Sequence, residues 1–434
     1  MTYAREEIVR LDKRYLWHPY TPMQEYIEHG EPLVIERAQG SRLFDQDGRS
    51  YLDGNSSWWT ALLGHGHPRL IAALKAQADT LCHTALAGIT HEPAARLGEE
   101  LVAVAPAGLS RVLFSDNGST AIEAAIKIAL KFWGQNGRPR RRRFIALDDA
   151  FHGETLGVTA LSGVEVFRRP FADVLMECVH VPVGQDGYER AFAAAERLLR
   201  EGADEIAAVV VEPMLQGAGG MRVYSAEYLR RLRSLTQELD ILFVADEVFT
   251  GYGRTGPMWA CAHAGIAPDI LCTAKGFSGG LLPMAATLAS ERVFDGFLGD
   301  ASRALHYGHT YCGNPLGARV ALEVLAVYKD EQILEKAAPK AEKLTLAVEA
   351  LAGLPGVKSV RSLGMLGAVE LEGEASGYLG RAGWRVYEEA KKRGAYLRPL
   401  GNIVYTAPAL NIPDADLDEL LFIFSESIRA VLAG

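Results

Sequence analysis

Short apolar runs alternate with stretches of helical period through the middle of the chain. Residues 111–115, 207–212, 241–245 and 269–273 are runs of Val, Ile, Leu, Phe and Ala of strand length, and read as buried parallel strands. Within residues 121–133, Ile122, Ala125, Ile126, Ala129 and Trp133 recur at i, i+3, i+4, i+7 and i+11, which places them on one helical face. Strands that alternate with amphipathic helices predict an α/β domain with a mostly parallel, doubly wound sheet.

Past residue 330 the pattern changes. A long helical stretch at 320–351 leads into VKSVRSLGMLGAVEL, which predicts strand, turn and strand; a helix at 383–393 and a strand at 402–407 follow. This predicts a smaller α+β domain. Near the start, DQDGRSYLDG predicts a hairpin around Asp47-Gly48. Three units are expected: an N-terminal segment, 1–60, packed with the small domain; a large α/β domain, 61–330; and the small domain, 331–434.

Composition narrows the classes. The chain has 434 residues, 49% hydrophobic and 23% charged, which suits two or three compact units and excludes general disorder. A net charge of −9 argues against a nucleic-acid or polybasic membrane binder. The single basic run, 138–143, has no interleaved aromatics and reads as a solvated loop. Cys82, Cys178, Cys261, Cys272 and Cys312 are too scattered for a disulfide framework or a zinc knuckle. The first twenty residues lack the apolar core of a secretory signal, and no window approaches a membrane span. A reduced, cytoplasmic setting is expected.

Three segments could carry chemistry. Asp116-Asn117-Gly118-Ser119-Thr120 joins a strand to the amphipathic helix, with Thr120 and Glu123 spaced as a capping box. Free N–H groups and a hydroxyl at such a turn suit a phosphate, and equally an ordinary capped helix. Asp246 and Glu247 end a buried strand, where open α/β sheets bind ligands. The glycines at 251, 253 and 256 match the dinucleotide fingerprint literally, but no clean amphipathic helix follows them, so that match is rejected. Lys275 ends the next strand before a glycine-rich stretch. Desolvated there, its amine would be a nucleophile toward an aldehyde; the alternative is a surface lysine capping a strand. His65, His67, His83 and His91 fit no zinc template.

Taken together, the segments resemble the class III aminotransferases of the fold-type I pyridoxal-phosphate enzymes. The markers are DNGST (116–120), FHGETLG (151–157), VVEPMLQGAGG (210–220), DEVFTGYGRTG (246–256), AKGFSGGLLPMAA (274–286) and HTYCGNP (309–315), in the family's order over nearly the whole chain. Trp17-His18-Pro19-Tyr20-Thr21-Pro22-Met23, Asp53-Gly54-Asn55-Ser56-Ser57-Trp58-Trp59 and the stretch from Leu397 to Tyr405 resemble the branch of that class that serves biotin synthesis.

The resemblance implies pyridoxal 5'-phosphate as cofactor and a homodimer with shared active sites. Lys275 is then the lysine that bonds to the cofactor aldehyde, and Asp246 pairs with the protonated pyridine nitrogen. Gly118 and Ser119 hold the phosphate, which Thr310, with His309, reaches from the other subunit. Phe151 stacks on the ring. Arg398 receives a substrate carboxylate, with Arg254 close by. Tyr20, counted with Lys275 and Asp246 as catalytic, shapes the pocket with Trp58, Trp59 and Gly308. The implied reaction is ping-pong, with S-adenosylmethionine as amino donor and 8-amino-7-oxononanoate as acceptor, giving 7,8-diaminononanoate. Lysine as donor, or an ω-amino-acid or diamine transaminase working with pyruvate or 2-oxoglutarate, are the alternatives. Phe151 stands where the family often has tyrosine, Glu154 where aspartate is frequent and Leu400 where phenylalanine can occur, so these positions bear on the donor.

Overall fold

Alternation along the apolar strands sets the architecture. In Ile206–Val211, Ala208 and Val210 face one hydrophobic core while Val209 and Val211 face another, and Leu242 and Val244 part from Phe243 in the same way. A strand buried on both faces needs helices on both sides. Gly118–Gln135 covers one face, and Tyr188–Glu201 with Ala226–Glu238 covers the other. The computed structural model describes residues 3–184, 187–373 and 379–433.

The central sheet runs in the spatial order Leu109–Ser115, Ala285–Ser290, Ile270–Thr273, Leu242–Asp246, Ile206–Val211, Arg143–Leu147, Cys178–Val181. Neighbours from Ile270–Thr273 onward pair in parallel. Ala285–Ser290 is antiparallel to both of its neighbours, so the run at 111–115 pairs antiparallel where a parallel partner was expected. The sequence gives little warning of that inserted strand, because AATLAS is mostly small residues without a bulky apolar run.

Local chemistry corrects two boundaries. The helix expected to begin near Thr120 starts at Gly118, because the Asn117 side chain accepts from the Thr120 N–H at 3.0 Å while the Thr120 hydroxyl accepts from the Asn117 N–H at 3.2 Å. The helical stretch at 320–351 is two helices, Pro315–Asp330 and Ile333–Glu349, parted where Gln332 turns left-handed at φ 54°.

The hairpin forms between Arg42–Asp45 and Ser50–Asp53, with Gly48 at φ 79° in its turn. Ala395–Tyr396, from the far end of the chain, adds in parallel to Ser50–Asp53. Val357–Ser362, Gly367–Leu371 and Ile403–Thr406 form a separate antiparallel sheet. The basic run is spent on ion pairs: Arg138 meets Asp240, Arg140 and Arg143 meet Glu205, and the buried Arg141 donates to the Leu239 carbonyl at 3.1 Å. Among the described residues no helix is long and apolar enough to cross a membrane.

Candidate active site

The carboxyl ends of the parallel strands converge on one cavity of about 550 Å³. Asp246 is the last residue of its strand, Glu212 follows Ile206–Val211, and Lys275 lies two residues past Ile270–Thr273. The helix after Leu109–Ser115 brings Gly118 and Ser119 to the same opening. An 18-residue helix presents unpaired N–H groups and its positive end there. Close packing fixes the loop opposite. Gly153 sits at φ 133°, where an added Cβ would lie 2.2 Å from the Ser119 hydroxyl, and the Glu154 N–H donates to that hydroxyl at 3.1 Å.

At the floor Asp246 and Glu212 are buried and Lys275 is half-buried beside them. Asp246 accepts from the Val248 N–H at 3.0 Å and lies 2.7 Å from Nδ1 of the buried His152. These contacts hold a carboxylate that burial alone would make costly. The His152 Nε2 is buried with no hydrogen-bond partner. Burial pulls the Lys275 amine below its ordinary pKa, while the charges of Asp246 and Glu212 push it back up. Lys275 is thus a partly desolvated amine facing acids, with a left-handed backbone at φ 47° and Nζ 5.0 Å from the Trp59 ring centroid.

Glu212 accepts N–H groups from Phe151 at 3.0 Å and Gly217 at 2.8 Å, and burial pushes its pKa up to about 7 from 4.5. Between those values the folded state binds a proton that the unfolded state has lost, so this group's contribution to stability falls as pH rises from 4.5 to about 7. Glu212→Gln is expected to flatten urea-unfolding free energy across that window by on the order of 3 kcal/mol. Parallel slopes in both proteins would refute it.

Aromatic rings form the walls. Phe151 packs edge-on to Phe167 at 5.4 Å, and Phe167 to Tyr20 at 5.6 Å. Tyr20 meets Trp58 at 5.4 Å, and its hydroxyl donates to Glu154. Ser56, Ser57, Trp58 and Trp59 are all left-handed, with φ between 44° and 74°, a turn that L-residues adopt at a cost of about 1–2 kcal/mol each. Hydrogen bonds offset that cost: Asn55 Nδ2 to the Tyr405 carbonyl at 3.2 Å, the Ser56 hydroxyl to the Ala407 carbonyl at 2.8 Å, and the Trp59 Nε1 to the Tyr405 hydroxyl at 3.0 Å. The turn aims both indoles at the cavity.

Tyr20, Trp58, Trp59, Gly118, Ser119 and Phe151 therefore line one cavity with Asp246 and Lys275. Arg254, expected close to the substrate carboxylate, does not line this cavity. It is fully buried and donates to the carbonyls of Met365 at 2.7 Å and Pro408 at 2.8 Å, with no carboxylate paired to it among the described residues. Burial pulls its pKa down to about 10. Arg254→Met leaves two carbonyls without a charged donor and is expected to lower unfolding free energy by about 2–4 kcal/mol in urea titration. An unchanged midpoint would contradict this structural role.

Arg398 does not line this cavity itself; its half-buried guanidinium lies 4.7 Å from the ring centroid of Trp58, which does. Gly308, His309 and Thr310 do not line the cavity of their own chain, although His309 is 3.4 Å from Asp116, which does. His152, Glu212 and Phe167 were not singled out from the sequence. The signals were there, since His152 and Glu212 sit inside FHGETLG and VVEPMLQGAGG.

Residues 26–428 match the Aminotransferase class-III family. A Geobacter sulfurreducens protein named adenosylmethionine-8-amino-7-oxononanoate aminotransferase is 40% identical over 98% of this chain and 97% of its own length. The crystal structure of the adenosylmethionine-8-amino-7-oxononanoate aminotransferase from Methanocaldococcus jannaschii superposes with a TM-score of 0.95 at 35% identity, over 98% of this chain and 99% of that one. An omega transaminase from Pseudomonas jessenii, in complex with PMP, superposes with a TM-score of 0.92 at 30% identity, over 98% of each chain. The chain belongs to the class III aminotransferases. It is an aminotransferase of this pyridoxal-phosphate-dependent class, with the fold-type I architecture described above.

Proposed function

We propose that this enzyme binds pyridoxal 5'-phosphate in the cavity and transfers an amino group from S-adenosylmethionine to 8-amino-7-oxononanoate, giving 7,8-diaminononanoate. The observation that carries the cofactor reading is that a half-buried lysine amine and a buried, hydrogen-bonded aspartate line one cavity with the N-terminus of a long helix. That donor set suits an aldehyde, a cationic pyridine ring and a phosphate on one molecule. The relatives named adenosylmethionine-8-amino-7-oxononanoate aminotransferase support the substrates.

When bound, the cofactor supplies an aldehyde carbon that takes up the amino group and a ring that accepts electron density from the substrate carbon. Asp246 holds a proton on the pyridine nitrogen, with His152 and the Val248 N–H fixing its carboxylate. Lys275, its pKa drawn down by burial, takes a proton from the substrate carbon and returns it. Gly118 and Ser119 hold the phosphate at the helix terminus. Tyr20, Trp58, Trp59 and Phe151 exclude water and give flat walls to both an adenosine-bearing chain and an alkyl chain. In a homodimer, Gly308, His309 and Thr310 would complete the site of the other subunit.

Two half-reactions test the proposal. Mixing the yellow enzyme with S-adenosylmethionine alone is expected to bleach it, and adding 8-amino-7-oxononanoate to restore the colour and release 7,8-diaminononanoate. Bleaching only by lysine would reassign the donor. Bleaching only by ω-amino acids, reversed by pyruvate or 2-oxoglutarate, would favour the omega-transaminase reading that the Pseudomonas jessenii likeness supports.

A further inference from the structure

The guanidinium of Arg398 lies between two indoles, 4.7 Å from the Trp58 ring centroid and 5.7 Å from that of Trp384. Among the described residues no carboxylate forms an ion pair with it, and its Nη1 is buried without a hydrogen-bond partner. A half-buried cation with one buried, unused donor is costly unless something offsets it, and two ring faces supply about 1–4 kcal/mol between them.

Both rings are tied to the segment that carries Arg398. On the Trp58 side, the Arg398 N–H donates to Asn55 Oδ1 at 2.7 Å, so the left-handed turn and the arginine move together. On the other side, the helix Ala382–Arg393 starts against the turn after Arg398. Its Ala382 N–H donates to Asn402 Oδ1 at 3.1 Å and its Gly383 N–H to the Gly401 carbonyl at 3.1 Å. Gly383 has no room for a side chain, since an added Cβ would fall 2.4 Å from that carbonyl. Trp384, the next residue, is thereby fixed over the guanidinium, and Tyr387 packs edge-on beneath it at 5.5 Å.

We propose that Trp384, outside the cavity wall, is a positioning residue. With Trp58 it cages the Arg398 guanidinium as an unspent cation for the far carboxylate of a long-chain substrate. The proposal deepens the function above, in which the acceptor ends in a carboxylate, and rests on it for the substrate class. Rings suit this task where an acid does not. A paired aspartate would compete with the incoming carboxylate, whereas the negative face of an indole's quadrupole holds the guanidinium and leaves the N–H fork free.

Titrating the holoenzyme with nonanoate and with nonanamide by calorimetry tests the cage without requiring turnover. The unsubstituted enzyme is expected to prefer nonanoate. Trp384→Leu should weaken nonanoate about tenfold and leave nonanamide within twofold, and Trp384→Phe, which keeps a ring face, should recover most of the loss. Equal weakening of both ligands would reveal a merely structural role and overturn the proposal. So would no preference for nonanoate, or unchanged binding in Trp384→Leu. The half-reaction assay judges the substrates separately: absence of product from 8-amino-7-oxononanoate, with nonanoate binding still dependent on Trp384, would sink the assigned reaction and leave the cage standing.

Discussion

Lys275→Ala is expected to lower turnover by at least about three orders of magnitude, in single-turnover measurements with the amino donor, while far-UV circular dichroism stays unchanged. The amine is the group in the cavity that combines desolvation, which lowers its pKa, with two facing acids, whose charges oppose that shift. An alanine can neither bond an aldehyde nor carry a proton. Arginine at this position should rescue nothing, because a guanidinium stays charged at any working pH. Added methylamine should restore part of the rate, with the recovered rate rising with the concentration of free amine. A variant within tenfold of the parent enzyme would remove Lys275 from the chemistry.

The second large effect is expected at Asp246. Asp246→Asn keeps the size of the side chain and removes its charge, and should cost about 10²–10³ in turnover, the range seen when one group that stabilises developing charge is lost. The loss should fall on both half-reactions, because both need the ring cationic. The same substitution removes a negative charge that raises the Lys275 pKa, so the amine should lose its proton at lower pH and the acidic limb of the rate profile should move to lower pH. A limb that moves upward, or a loss confined to one half-reaction, would contradict this account of the pair. Retained activity would show that the pyridine nitrogen does not depend on position 246.

Which parts of this site are visible in sequence follows from how far each contact reaches along the chain. Asp246 and Lys275 each end an apolar run, and strand ends in an open α/β sheet are where ligands bind, so their placement is a local property. Gly118 and Ser119 open a helix whose periodic face is plain over four turns. The partner of Asp246 is not local: His152 lies 94 residues away, and only the crossing of two strand-end loops brings them to 2.7 Å. Arg254 misleads for the same reason. Its position eight residues after Asp246 suggests the site, but the carbonyls it serves are 111 and 154 residues further on.

The N-terminal aromatics show the opposite case. Trp58 and Trp59 were legible as pocket residues through the family resemblance, yet neither propensity nor periodicity predicts four consecutive left-handed residues. That conformation exists because carbonyls around residues 405–407 hold it from outside. Arg398 is likewise placed by the resemblance; it does not line this cavity itself, and its guanidinium meets the wall residue Trp58. Ala285–Ser290 escaped because small residues fill the space between two strands without an apolar signature.

The most direct measurement is chemical. Purified enzyme is reduced with borohydride, digested and mapped by mass spectrometry. A single peptide carrying the phosphopyridoxyl mass on Lys275, with trypsin failing to cut after that residue, is the result this account predicts. The mass on another lysine, or on none, would contradict it.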